Sequence, residues 1–344
     1  MKIAVIFEPS NSIGSSNEAL NIVRFKPDVF VPIASQPIGG KPGLVEVPTR
    51  FGKPMNYPVA SLMDGLEQLD PDGILICTVG ADVFGSLPKM IERWPVAWRF
   101  NVNPLEFTFD PGMIDNIPQL LGTLSLVDAV VPCSPFVEEN VKQLAAENTI
   151  TIPTCIDTKE CKLANPTKDL VISLTRIAPI KNILFSILAM GKVVNEMPTA
   201  EYEIYGEGVM AGHVANWIRQ MRTERISYNG FKPANMVLPN AKLFLQTSIS
   251  ENFSLSMLEA MASGIPVVAS DIPGHAMGNV YFDSIKQIAD EVKLLLTDDD
   301  LREEWREMGL EKVKEFDVRE VVPQWEGLFK KLMRLKEFKK NDAS

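Results

Sequence analysis

The feature that most constrains this 344-residue chain is an alternation that runs its course twice. In the first half, short apolar runs read as buried strands. They are "KIAVIF" (2–7), "VFVPIA" (29–34), "GILICTV" (73–79), "PVAWRFNV" (95–102), "AVVPCS" (129–134) and "TITIPT" (149–154). Helical stretches such as "SLMDGLEQL" and "FVEENVKQLAAE" stand between several of them. Strands that are apolar throughout, alternating with amphipathic helices, imply a parallel sheet covered on both faces. The alternation restarts at "LVISLT" (170–175). It continues through "NILFSILAMGKVVNEM" (182–197), "EYEIYG" (201–206), "HVANWIRQM", "RISYNG", "AKLFLQT", "LSMLEAMASG" and "IPVVAS". The polar piece "DTKECKLANPTKD" (157–169) reads as the linker. The expectation is an α/β chain of two Rossmann-like, doubly wound domains facing a cleft, residues 1–160 and 161–318, with a final helix over 319–344.

Composition narrows the partners. A formal net charge of −10 argues against a broad nucleic-acid surface, which needs clustered Lys and Arg. Four cysteines without C-x-x-C spacing and two distant histidines, His213 and His275, give no structural zinc pattern. Cys77 and Cys133 lie in apolar runs and read as small buried residues. Nothing points to an oxidising compartment that would join Cys155 to Cys161. The opening "MKIAVIFEPS" reads as a strand rather than a signal peptide, and no run approaches the ~20 apolar residues of a membrane span. The expected location is cytoplasmic. In "FKKLMRLKEFKK", six cations face one acid, Glu337.

Open parallel sheets bind ligands beyond the carboxyl ends of their strands, so the loops after strands matter most. The loop "EPSNSIGSSNEAL" (8–20) has Gly14 for close backbone approach at a helix start that can receive an anion. It carries neither a dinucleotide nor a P-loop fingerprint, and it also reads as a plain capped turn. In "LTRIAPIKN" (174–182), Arg176 and Lys181 can hold a diphosphate, Arg with a fork and Lys with a mobile charge. Alternatively this is a solvated loop. Gly206 in "EIYGEGV" and Gly230 in "ISYNGFKP" permit close approach, or simply turn the chain. In "SENFSLSMLEAMASGIPVVAS" (250–270), Glu251 stands in a loop and Glu259 in a helix. One account makes Ser256–Glu259 a capping box, leaving the two glutamates unrelated.

At that stretch the sequence resembles the retaining glycosyltransferase family 4, glycosyl transferases group 1, of GT-B fold. The family's glutamate, seven residues, and second glutamate followed by Ala-Met-Ala-x-Gly-x-Pro-Val stands here as "ENFSLSMLEAMASGIPVV". Its Arg-x-x-x-x-Lys-Asn element matches "RIAPIKN", its strand-Gly-x-Gly element "IYGEG", and its strand ending in glycine "ISYNGF". Order and spacing agree from about 170 to 275, and residues 127–157 resemble the family's passage into its linker. The resemblance implies a nucleoside-diphosphate sugar donor, with a UDP- or GDP-sugar expected, and no cofactor or metal. Glu259 would bind the ribose hydroxyls and Glu251 the donor sugar. The amides of Asn252, Phe253 and Ser254 would approach sugar or diphosphate. Arg176 and Lys181 would neutralise the leaving diphosphate, Gly14 would meet the same phosphates on closure, and Gly206 and Gly230 would shape the nucleotide pocket. Retention would follow front-face attack, with the leaving phosphate taking the acceptor's proton.

Two departures stand out. Many members carry an N-domain histidine after the fourth strand, where "AWRFNVNPLEF" offers only Arg99, Asn101 and Asn103. Ser254 replaces a frequent glycine. The segment "VVPQWEGLFKKLMRLKEFKK" resembles the family's last helix, which crosses back to the N-domain, with Leu328, Leu332 and Leu335 as a packed stripe. A second reading lays its basic face on anionic membrane. Acceptors left open are a glycan, a lipid or a small molecule. Besides a glycosyltransferase, the sequence leaves room for a sugar-nucleotide hydrolase or 2-epimerase of the same fold, or a non-catalytic nucleotide-sugar- or glycan-binding subunit.

Overall fold

A computed structural model describes residues 1–7, 14–34, 62–77, 81–101, 122–143, 148–275 and 284–342. The loop 8–13 and Asn103 therefore lie outside the described residues. The chain divides into two compact units. One is Met1–Cys155 together with Val318–Ser344, and the other is Ile156–Asp317.

The first unit runs β1 (Ile3–Phe7), α1 (Gly14–Phe25), β2 (Phe30–Ala34), α2 (Leu62–Leu69), β3 (Gly73–Ile76), α3 (Ala81–Arg93), β4 (Val96–Phe100), β5 (Ala129–Pro132) and α4 (Pro135–Gln143). All pairings are parallel, in the order β2-β1-β3-β4-β5. Pro32 is tolerated because β2 lies at the edge, where a missing N–H breaks no ladder. The stretch "TITIPT" does not become a strand. It runs beside β5 with one bridge, Val130 to Thr149, and Ile150 and Ile152 donate to Val130 and Pro132. Pro132 has no N–H to return, so the ladder stops there.

The last helix, α5 (Val318–Asp342), belongs to the first unit. Trp325, Leu328, Phe329 and Leu332 enter the same core as Ile3, Val5, Phe30 and Leu75. Leu335 is 49% exposed, so the expected stripe ends one turn early. Lys336 instead reaches the end of α3, donating to the carbonyls of Ile91 (2.5 Å) and Trp94. Cations belong at helix C-termini.

Arg99, which stands in the stretch where many family members carry a histidine, is an interior residue. It is buried on β4 and paired with Glu18 of α1 through Nη2–Oε1 at 2.5 Å and Nε–Oε2 at 3.1 Å. Its remaining N–H groups reach the carbonyls of Pro132 (3.1 Å) and Ile152 and Thr154 Oγ1 (3.1 Å). The guanidinium lies 5.4 Å from the centroid of Trp325. Burial pushes the Glu18 carboxyl up, and Arg99 pulls it part of the way back. Asn101 donates to Glu18 Oε2 at 3.2 Å.

The second unit runs β6 (Asp169–Leu174), α6 (Ile183–Glu196), β7 (Ala200–Tyr205), α7 (Ala211–Met221), β8 (Ile226–Tyr228), α8 (Ala234–Val237), β9 (Leu243–Gln246), α9 (Leu255–Ala262), β10 (Val267–Ala269), α10 (Ile285–Thr297) and α11 (Asp299–Lys312). Its parallel sheet has the order β10-β9-β6-β7-β8. The chain thus winds outward from β6 on one side and from β9 on the other. The switch falls between those two strands. The polar stretch 157–169 is no free linker, since Ala164 donates to Ser263 and Asn165 to Pro239 within this unit. A bridge between Ile156 and Asp317 closes the unit where the chain enters and leaves it.

Removing one partner of a buried ion pair leaves an uncompensated charge and costs about 3–5 kcal/mol. Arg99→Leu is therefore expected to lower stability by about that amount in urea unfolding. The double variant Glu18→Leu/Arg99→Leu is expected to recover most of the loss. Additive losses would contradict this reading.

Candidate functional site

The site grows from the switch between β6 and β9. β6 ends at Leu174, and the chain passes Arg176 to reach a short 3-10 turn, Pro179–Lys181. Asn182 follows at φ 50°, a left-handed value that asparagine tolerates, and α6 begins. β9 ends at Gln246, and the loop 247–254 leads into α9. The two loops are stitched together. Ile249 N–H donates to the Ile180 carbonyl at 2.9 Å, and Thr247 Oγ1 to the Asn182 carbonyl at 3.0 Å.

That stitching brings Lys181 against Glu251, with Nζ 2.5 Å from Oε1. The same oxygen accepts from Gln246 Nε2 and Ser248 Oγ, both at 2.7 Å. Oε1 is thus held by three donors, while Oε2 makes no hydrogen bond among the described residues. One oxygen fixes the carboxylate and the other remains available as an acceptor. Gln246, Ser248 and Glu251 are all buried, so this geometry is held by the protein interior.

Ser254 is the N-cap of α9. Its Oγ accepts from the Met257 N–H at 3.3 Å and donates to Gln246 Oε1 at 2.8 Å. The capping box drawn from Ser256 to Glu259 does not form, because the helix is capped two residues earlier, by Ser254. Glu259 is left on the first turns with no hydrogen bond to its carboxylate among the described residues. Burial pushes its carboxyl up to about 7. Phe253 turns its ring inward, edge-to-face on Phe316 at 5.1 Å, and so anchors the loop that also carries Asn252.

Gly206 follows β7 at φ 137°, and a Cβ there would stand 1.8 Å from the Thr175 carbonyl oxygen. Only glycine lets this loop press against the Arg176 loop, where Ile177 N–H donates to Glu207 at 2.8 Å. Gly206 N–H in turn donates to the Gly230 carbonyl at 2.9 Å. Three loops after β6, β7 and β8 are therefore bonded in a row. Arg176 is exposed, and its guanidinium has no hydrogen bond or ion pair among the described residues. Gly14 opens α1 in the other unit.

Sequence reading missed Gln246 and Ser248, which hold Glu251. It also missed Ser270 and His275, which back the same loop. Ser270 Oγ donates to the Ser248 carbonyl at 2.5 Å. The available signal was polarity at the end of an apolar strand, "LFLQTS". Among the described residues no cluster of three or more His, Cys, Asp or Glu could hold a metal ion. None of their helices is long and apolar enough to cross a membrane.

Residues 157–312 match the model of the family Glycosyl transferases group 1. The chain is 27% identical over 285 residues to the poly(ribitol-phosphate) alpha-N-acetylglucosaminyltransferase of Staphylococcus aureus, covering 75% of this chain and 55% of that protein. Among solved structures it resembles an S. aureus TarM mutant crystallised with fondaparinux, alpha-GlcNAc-glycerol and UDP. The TM-score there is 0.66 at 24% identity, over 77% of this chain and 57% of that one. It also resembles Anabaena HepE crystallised with UDP-glucose, with a TM-score of 0.75 at 18% identity, over 96% of this chain and 100% of that one. The chain thus spans little more than half the length of the staphylococcal relatives. The stretch that matches this family's model lies within the second unit, and the fold is GT-B.

The raised carboxyl of Glu259 has a consequence for stability. Unfolded, this group releases its proton near 4.5; folded, only near 7. The stability it contributes is full below 4.5 and is lost as pH rises through 7. Glu259→Gln fixes the neutral form. It is expected to stabilise the protein by about 1–3 kcal/mol at pH 8 and by almost nothing at pH 4.5, read as thermal midpoints at both pH values.

Proposed function

We propose that this chain is a glycosyltransferase that moves a sugar from a nucleoside-diphosphate sugar to a hydroxyl acceptor with retention of configuration. The carrying observation is the Lys181–Glu251 pair at the switch of the second sheet, inside a Glycosyl transferases group 1 domain. The carboxyl edge of such a switch is where open α/β sheets take nucleotides.

In this reading, Glu251 keeps Oε1 tied and uses Oε2 to accept from a donor-sugar hydroxyl. Lys181 spends one N–H on Glu251 and has two left for diphosphate oxygens. Arg176, exposed and unpaired among the described residues, supplies the second cation. Glu259, with an unbonded carboxylate, accepts from the ribose hydroxyls. Asn252, Phe253 and Ser254 lead into the N-terminus of α9, whose dipole favours an anion. Gly206 and Gly230 leave room beside the nucleotide. The bond from the sugar's anomeric carbon to phosphate breaks as the bond to the acceptor oxygen forms on the same face. The acceptor's proton passes to the departing phosphate oxygen. Lys181 and Arg176 stabilise the charge that develops on the diphosphate. This chemistry asks for neither a metal nor a separate base.

A UDP-sugar is the first donor to try. The staphylococcal relative is named for N-acetylglucosamine transfer, and the HepE complex holds UDP-glucose. A glycan or polyol-phosphate hydroxyl is the first acceptor class to try, since the staphylococcal relative is named for poly(ribitol-phosphate).

Lys181→Met is expected to lower kcat by about 10²–10³-fold, the effect of losing one preorganised donor at a developing negative charge. Glu251→Gln is expected to be inactive within detection while retaining its far-UV CD spectrum. NMR of the product is expected to give the donor's anomeric configuration. An inverted product would sink the mechanism, and donor consumed with no acceptor product would favour a hydrolase or epimerase.

A further inference from the structure

Among the described residues of the second unit, one buried side-chain nitrogen, His275 Nε2, has no hydrogen-bond partner. His275 follows β10 and is 8% exposed. The residue before it, Gly274, lies so near Glu251 that a Cβ there would stand 1.7 Å from the Glu251 carbonyl oxygen and 2.8 Å from its Cβ. His275 is therefore delivered to the back of the Lys181–Glu251 pair by a close approach that only glycine allows.

The ring's state follows from its bonding. Nδ1 is 2.6 Å from the Ser270 carbonyl oxygen. A carbonyl can only accept, so Nδ1 carries the proton, and in the neutral ring Nε2 is a bare acceptor. Nε2 is buried and has no hydrogen-bond partner among the described residues. An unmet buried acceptor is costly, and proteins keep few of them. Burial holds the imidazole below its ordinary range. The Ser270 bond and the charges of Glu251 and Asp271 oppose that shift, and Lys181 adds to it. The ring is thus close enough to feel both members of the pair, yet bonded to neither.

We propose that His275 is a specificity residue of the donor pocket, whose Nε2 accepts a hydrogen bond from an O–H or N–H of the sugar moiety lying beside Glu251 and Lys181. The proposal rests on the reading that this pocket takes a nucleotide sugar. Glu251 Oε2 supplies a charged acceptor, and His275 supplies a neutral one from the loop after β10. Two fixed acceptors of different strength on one sugar discriminate between its hydroxyl or amide positions. A site built to bond a polar group rejects an analogue that lacks it.

Two variants separate this role from a structural one. His275→Asn keeps an N–H near Nδ1 for Ser270 and removes the acceptor. His275→Gln keeps an acceptor near Nε2. Each protein would be titrated calorimetrically with UDP, GDP, UDP-glucose, UDP-N-acetylglucosamine and GDP-mannose, with thermal midpoints measured without ligand. For His275→Asn the expectation is an unchanged midpoint, unchanged affinity for the bare nucleoside diphosphate, and a five- to tenfold weaker Kd for the preferred nucleotide sugar. For His275→Gln the sugar nucleotide is expected to bind within about twofold of wild type. Equal weakening of diphosphate and sugar nucleotide, or no weakening of either, would overturn the proposal. Wild-type protein that binds none of these nucleotides would overturn the donor-pocket reading and this proposal with it.

Discussion

Lys181 and Glu251 meet because two strands of one sheet send the chain in opposite directions. β6 and β9 lie side by side, and their loops leave the same edge without crossing. The ion pair closes that gap at 2.5 Å, and backbone bonds from Ile249 and side-chain bonds from Thr247 hold the two loops in register. A partly buried pair is weak evidence for stability, because desolvation offsets the attraction. Here Gln246 and Ser248 satisfy the same carboxylate oxygen, so the charge is compensated without using its second oxygen. Such an arrangement suits recognition better than stability.

The two units handle buried charge differently. In the first, Glu18 and Arg99 satisfy each other through two bonds, and Pro132, Ile152 and Thr154 take further N–H groups. That network is closed and holds α1, β4 and the final helix together. In the second, Glu259 has a partly buried, unbonded carboxylate and His275 a buried, unmet nitrogen among the described residues. In the proposed reading, a bound donor supplies the partners of these groups.

Much of the architecture was legible because it rests on local periodicity. Strand and helix alternation located the elements of both sheets, and the loops after strands held Arg176, Lys181 and Glu251. Where tertiary contacts decide, the sequence was silent or misleading. Arg99 reads as a lone cation inside an apolar strand, and its partner Glu18 is 81 residues away. Two serines two positions apart both fit an N-cap, and bonding to Gln246 favours Ser254 over Ser256. "TITIPT" has a strand's composition, but its neighbour Pro132 cannot complete a ladder. Gln246, Ser248, Ser270 and His275 acquire their roles only when β9 and β10 lie side by side.

The central claim is that the Lys181–Glu251 pair marks where a nucleotide sugar binds. A crystal structure with an intact nucleotide sugar tests it most directly. The account predicts diphosphate oxygens within hydrogen-bond distance of Lys181 Nζ and Arg176, the sugar against Glu251 Oε2, and the ribose against Glu259. A nucleotide sugar bound elsewhere, with the pair untouched, would contradict it.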